Sequence, residues 1–215
     1  MLLPLLLNLL NPANTYIKME TAIRIPIKEK KLVSDGVIGM LFVLATEAMF
    51  FSGLISAFVI NRAGSMAWPP ADQPRLPVEV TAVNTIVLLA SAVTIFLFGR
   101  KIRRIDVIDK KSTGLLITTI LLGATFLAVQ GTEWVRLIGF GLTAHSSLYG
   151  AFFYTIIGIH GAHVIAGLIV LFYLLSALIK PASFEASKNR IAVCSMYWYF
   201  VVAVWPVLYI LVYLS

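Results

Sequence analysis

The stretch VIGMLFVLATEAMFFSGLISAFVI, residues 37–60, decides the fold. It is apolar for longer than the ~20 helical residues that a bilayer's hydrocarbon core requires. Near its middle stands one ionisable residue, Glu47. A carboxylate at that depth costs roughly 2.5–3.5 kcal/mol on insertion scales, so its presence is by default a sign of function. One role open to Glu47 is a protonated or hydrogen-bonded carboxyl that holds helices together. The other is a proton-handling carboxyl or the polar end of a lipid site, and burial favours its neutral form.

Including this first run, at 36–60, the chain has five apolar runs, the others at 78–98, 114–138, 148–179 and 191–214. The fourth would be roughly 48 Å long if wholly helical, so it must tilt or reach into water. Of the 215 residues, 60% are hydrophobic and 13% charged, and the mean hydropathy is +0.92. The fold class expected is therefore all-α, a polytopic transmembrane bundle of five spans. Residues 1–35 are read as an N-terminal cytoplasmic or interfacial segment and 36–215 as the transmembrane domain.

The formal charge of +7 does not point to nucleic acid, because the bases lie in the short connections. The N-terminal segment, the connection after the second span and that after the fourth hold 14 Lys and Arg. The other side holds Arg62, Arg75 and Arg136. That asymmetry predicts a cytoplasmic N-terminus and an external C-terminus. Residues 1–10 are apolar but lack a basic n-region and a cleavage site, so they are read as an interfacial segment rather than a secretory signal. Met19 offers a second candidate start.

Other polar residues interrupt the spans. Gln130 and Glu133 are three apart on one helical face, as are His160 and His163, a spacing that brings side chains together. The carboxamide and carboxylate suit interhelical hydrogen bonds. The imidazoles suit bonds within the bundle or to a lipid better than a metal, since the spacing alone is a weak metal signal. Glycines beside them permit close approach of neighbouring helices. Asn84, early in the second span, is expected to cap or bridge helices. The single cysteine, Cys194, reads as a small buried apolar residue. With three histidines, His145, His160 and His163, and one cysteine, a redox centre held wholly by this chain is not expected.

Taken in order, a set of motifs resembles subunit III of the haem–copper oxidases. They are Thr46-Glu47-Ala48-Met49-Phe50-Phe51, Trp68-Pro69-Pro70, Asn84-Thr85 followed by Val87-Leu88-Leu89-Ala90-Ser91, and Gln130-Gly131-Thr132-Glu133-Trp134. Tyr149-Gly150, His160-Gly161-Ala162-His163-Val164, and Tyr197-Trp198 with Trp205 and Tyr209 complete the set. The resemblance runs from about residue 36 to the end and corresponds to a short, five-helix form, without the two helices that precede the Thr-Glu motif in the long form.

The resemblance implies a subunit that carries no cofactor of its own, with haem and copper in partner subunits. It implies packing against catalytic subunit I and other oxidase subunits, in a setting compatible with a larger respiratory supercomplex. It also implies structural phospholipids and support of proton uptake in a bacterial-type cytoplasmic membrane. Glu47, His160, His163, Glu133, Gln130, Trp68, Asn84 and Lys180 form the expected proton-handling or lipid- and partner-facing polar set. Two departures stand out. The family's Tyr-Trp-His-Phe-Val-Asp reads Tyr197-Trp198-Tyr199-Phe200-Val201-Val202 here, and the family's arginine late in the fourth helix of this set gives way to Ala177, with Lys180 the nearest base. The rival readings are an accessory subunit of a nitric oxide reductase and an independent proton-coupled transporter built on Glu47.

Overall fold

The computed structural model describes residues 34–70, 73–104, 109–179 and 184–214. The expected N-terminal segment, apart from Ser34 and Asp35, lies outside them, as does Lys180. Five helices carry the described chain: α1 (Asp35–Ala63), α2 (Val78–Ile102), α3 (Lys110–Gly139), α4 (Leu148–Ile179) and α5 (Phe184–Tyr213). All five contain a segment long and apolar enough to cross a membrane, and no strand occurs among the described residues. The five expected spans are thus present. The helices run past several of the expected ends, most at α5, which begins seven residues before the expected 191. Polar turns such as Lys188-Asn189-Arg190 continue the helix beyond its apolar part because helical hydrogen bonding does not stop where hydropathy does.

Helix ends are set by local chemistry. The Ser34 hydroxyl caps α1, accepting from the Val37 N–H at 3.4 Å, and donates to Asn189 Oδ1 near the start of α5. Asp109 caps α3 by accepting the Ser112 N–H at 2.8 Å, while its other oxygen takes the Lys101 ammonium at 2.7 Å. The Lys101 and Ser112 hydrogen bonds hold the Asp109 carboxyl well below the ordinary carboxylate range. A carboxylate at a helix N-terminus also meets the positive end of the helix dipole. At the opposite end, Gly141, with φ +90°, makes the turn after α3, a backbone conformation that suits glycine.

Helices α2, α3, α4 and α5 form a ring in which each packs on its sequence neighbours and α5 closes on α2. α1 lies outside this ring, chiefly against α5 and more lightly against α4. It buries only Phe51 and Phe58, and Leu41, Phe42, Val43, Met49 and Ile60 stay exposed. An apolar surface of that extent suits hydrocarbon or another membrane subunit rather than water.

Lipid is as apolar as leucine, so helix association in a membrane rests on close packing and interhelical hydrogen bonds. Both are present in the ring. Trp198 Nε1 donates to Ser91 Oγ at 3.1 Å and Trp205 Nε1 to Thr85 Oγ1 at 2.8 Å, joining α5 to α2. The Thr94 and Thr119 hydroxyls meet at 2.8 Å between α2 and α3. Glycines admit the large rings: a Cβ at Gly123 would lie 2.6 Å from Trp198, and one at Gly161 3.0 Å from Trp134. Trp198 and Trp205 are fully buried core residues. Their indole N–H groups find hydroxyls inside the bundle, so no interfacial position is needed to satisfy them.

Candidate functional site: a carboxyl–imidazole pair between α1 and α4

Glu47 lies near the middle of α1 and His163 near the middle of α4. Their side chains meet, Glu47 Oε2 to His163 Nε2, at 2.9 Å. On the other side of the ring, His163 Nδ1 lies 2.8 Å from the carbonyl oxygen of Ile159. A carbonyl only accepts, so Nδ1 carries the proton of that bond. The bond from Glu47 to Nε2 then holds one further proton. Either a neutral carboxyl donates to a neutral imidazole, or an imidazolium donates to a carboxylate. In either form one shared proton joins α1 to α4 through this bond. The side chains are 17% exposed for His163 and 28% for Glu47, which keeps them at the seam rather than sealed in the core. Phe51, one turn along α1 from Glu47, packs edge-on against His163 at 5.1 Å and His160 at 6.4 Å. It closes the seam toward the ring.

The other expected residues do not gather here. His160, three residues before His163, turns into the ring, where it is 1% exposed. It stacks on Trp205 at 5.0 Å and meets the edge of Phe126 at 6.4 Å, and neither ring nitrogen has a hydrogen-bond partner among the described residues. The expectation that both histidines look from one face holds only loosely, because three helical residues leave side chains about 60° apart. That angle is enough to put one in the core and one at the α1 seam.

Gln130 does bridge helices: its amide donates to the Tyr213 hydroxyl at 2.7 Å, from α3 to α5. Glu133 instead pairs along its own helix with Arg136 at 2.8 Å. Asn84 bridges α2 to α3 by donating to the Phe126 carbonyl at 3.0 Å. Trp68, in the connection after α1, packs edge-on between Phe58 at 5.5 Å and Tyr149 at 5.3 Å. Among the described residues, no group of three or more His, Cys, Asp and Glu is placed to hold a metal ion. Sequence reasoning missed Tyr213 as the partner of Gln130, and missed the role of Phe51. A terminal tyrosine gives no signal of a buried bond in the sequence, whereas Phe51 is visible inside the Thr-Glu motif. Tyr213→Phe removes the acceptor of the Gln130 amide and is expected to cost about 0.6–1.7 kcal/mol. A shifted unfolding midpoint in a mixed-micelle denaturant titration would register this, and an unchanged midpoint would show that the bond contributes nothing net.

Comparison with known proteins gives this geometry its relatives. The family model for cytochrome c oxidase subunit III matches residues 8–215. The chain is 36% identical over 179 residues to cytochrome c oxidase subunit 3 of Corynebacterium diphtheriae, covering 82% of this chain and 86% of that protein. It is 34% identical over 178 residues to cytochrome c oxidase subunit 3 of Synechocystis sp., covering 82% and 74%. It is also 30% identical over 181 residues to the cytochrome bo(3) ubiquinol oxidase subunit 3 of Pseudomonas putida, covering 83% and 84%. A five-helix apolar bundle, with a carboxyl on its first helix meeting an imidazole on its fourth, thus belongs to the cytochrome c oxidase subunit III family.

Proposed function

We propose that the chain is the non-catalytic subunit III of a respiratory haem–copper terminal oxidase, and that it stabilises catalytic subunit I, holds phospholipid and supports proton uptake during aerobic electron transport. Haem and copper reside in the partner subunits. The observation that supports the proton and lipid part is the Glu47–His163 pair: a carboxyl and an imidazole hydrogen-bonded at a helix seam that remains partly open. The uncovered apolar face of α1 supports the assembly part, since it offers a surface for lipid or another subunit.

In the proposed orientation the N-terminal segment, residues 1–35, lies on the cytoplasmic side of a bacterial-type cytoplasmic membrane. The bases near the start of α5 and around the α2–α3 connection support it. The relatives include subunits of both a cytochrome c oxidase and a ubiquinol oxidase, and the electron donor is read by other subunits.

A pull-down through a tag on this chain in mild detergent, followed by a reduced-minus-oxidised spectrum, tests the proposal. Haem absorption with cyanide-sensitive oxygen consumption is the expected result. Haem with nitric oxide reduction and no oxygen consumption would move the chain to a nitric oxide reductase. A colourless eluate from a well-preserved preparation would overturn the oxidase reading and leave a transporter built on Glu47.

A further inference from the structure

Among the described residues, most of the buried side-chain atoms without a hydrogen-bond partner gather in one layer of the ring. They are Asn84 Oδ1 on α2, Gln130 Oε1 and Trp134 Nε1 on α3, and both ring nitrogens of His160 on α4. Around Trp198, by contrast, the hydroxyls of Ser91, Thr94 and Thr119 are all bonded.

Trp205 of α5 ties the layer together. It stacks on His160 at 5.0 Å, meets the edge of Phe126 at 4.9 Å and lies 6.3 Å from Tyr213. The Phe126 carbonyl holds the Asn84 amide, and the Tyr213 hydroxyl holds the Gln130 amide. In both amides the nitrogen makes the bond, so an oxygen is left over. Trp134 stands one turn past Gln130, and its ring rests on α4 at Gly161, the residue after His160.

Two properties limit what can serve these atoms. The first is closure: Asn84, Gln130, His160 and Trp205 are each at most 3% exposed, so a partner must be small enough to be enclosed. The second is mixed polarity. Trp134 Nε1 and one nitrogen of a neutral imidazole donate, whereas the other imidazole nitrogen and the two amide oxygens accept. The N–H groups disfavour a cation and the amide oxygens disfavour an anion. Water donates and accepts, and it is the usual partner of buried polar groups that find none in the protein.

We propose that this layer is an internal water site. Ordered water there joins the amide oxygens of Asn84 and Gln130, the Trp134 indole and the His160 imidazole. At about three hydrogen bonds per buried water, about two molecules serve the five atoms. Water then does for α2, α3 and α4 what the hydroxyl–indole bonds do around Trp198. It links helices by polar contacts, where hydrocarbon offers no hydrophobic drive for their association. The site does not include the Glu47–His163 bond, and the proposal rests on the fold alone rather than on the oxidase reading.

Radiolysis supplies the test, because hydroxyl radicals formed from a bound water oxidise the side chains beside it even in a sealed core. The chain, with the subunits it retains in mild detergent, is exposed to brief X-ray pulses and its peptides are read by mass spectrometry. Trp198 is the internal control: like Trp205 it is fully buried and bonded through Nε1 to a helix hydroxyl. Trp205 and Phe126 are expected to oxidise several-fold faster than Trp198. Trp205 and Trp198 oxidising equally slowly would overturn the proposal. A second measurement compares His160→Asn with His160→Phe by unfolding midpoint in mixed micelles. Asparagine keeps a donor and an acceptor for water, so it should unfold later than phenylalanine. In a dry layer the order reverses, because phenylalanine keeps the stack on Trp205 and removes two unpaired nitrogens. A higher midpoint for His160→Phe than for His160→Asn would therefore also overturn the proposal. Neither readout involves haem, so this site and the oxidase reading can fail independently.

Discussion

Gly167→Ala is expected to destabilise the bundle by about 1–3 kcal/mol, the usual cost of overpacking a filled core. The added Cβ would lie 2.8 Å from Trp198 Cε3 and 2.9 Å from Cζ3. The indole has nowhere to retreat. On its far edge, the Cβ position of Gly123 is 2.6 Å from Cη2, and its Nε1 is tied to Ser91 Oγ. Trp198 thus reaches from α5 into a slot made by two missing side chains, one on α3 and one on α4. The dispersion attraction of a ring seated in such a slot needs atoms close on every side, and strain at one wall weakens it whether lipid or water surrounds the bundle. Trp198→Ala, which empties the slot, should cost more, about 3–5 kcal/mol. The double variant Gly167→Ala with Trp198→Phe should recover part of the loss of Gly167→Ala, because the smaller ring leaves room for the methyl. Gly158→Ala, on the same helix but with nothing within 4 Å of its Cβ position, is the matched control and should be neutral or slightly stabilising. Unfolding midpoints in mixed micelles would measure all four. Equal midpoints for Gly167→Ala and wild type would mean that the indole is not clamped.

The second large effect is expected at the carboxyl–imidazole pair. Glu47→Gln places an amide where the carboxyl stood. Its N–H still donates to His163 Nε2 while Nδ1 remains on the Ile159 carbonyl, so the hydrogen bond between α1 and α4 survives. What disappears is the titratable carboxyl. If the pair serves proton uptake or lipid retention, the variant should assemble normally yet lose activity several-fold faster during sustained turnover. Activity decay matching wild type through prolonged turnover would make Glu47 a structural polar group. Glu47→Leu separates the terms differently, because it removes the half-buried acid and leaves the imidazole without that partner. Improved stability with normal activity would identify Glu47 as a cost of folding with no return in function. Loss of α1 docking would show that the pair holds the outer helix, which buries only Phe51 and Phe58.

Much of the fold is legible in the sequence. The number of spans follows from hydropathy, because in hydrocarbon every backbone polar group must be satisfied within its own helix. Residues 148–179 read as one long helix, and Leu148–Ile179 is one. The end of α5 toward Phe184 is less legible, since a polar, basic turn carries no apolar signal. The site is legible in its parts. The Thr46–Phe51 motif and the His160–Val164 motif each stand out separately, and the helix-bridging roles of Asn84 and Gln130 follow from polar side chains in apolar spans. Glu133 is expected to reach another helix and pairs instead with Arg136, which lies one turn along its own helix and within easier reach.

The sequence by itself determined that this chain is a five-helix membrane bundle, where its helices lie, and which family it resembles, because hydropathy, helix periodicity and ordered motifs are properties of one dimension. Only the tertiary structure decided which polar residues share a bond. It separated His160 from His163, joined Glu47 to the second of them, and put Trp198 in the slot between Gly123 and Gly167. The reason is rotational. A helix turns about 100° per residue, so its rotation about its own axis fixes which neighbour each side chain meets. That rotation is set jointly by glycine clefts, large rings and interhelical hydrogen bonds from all five helices at once.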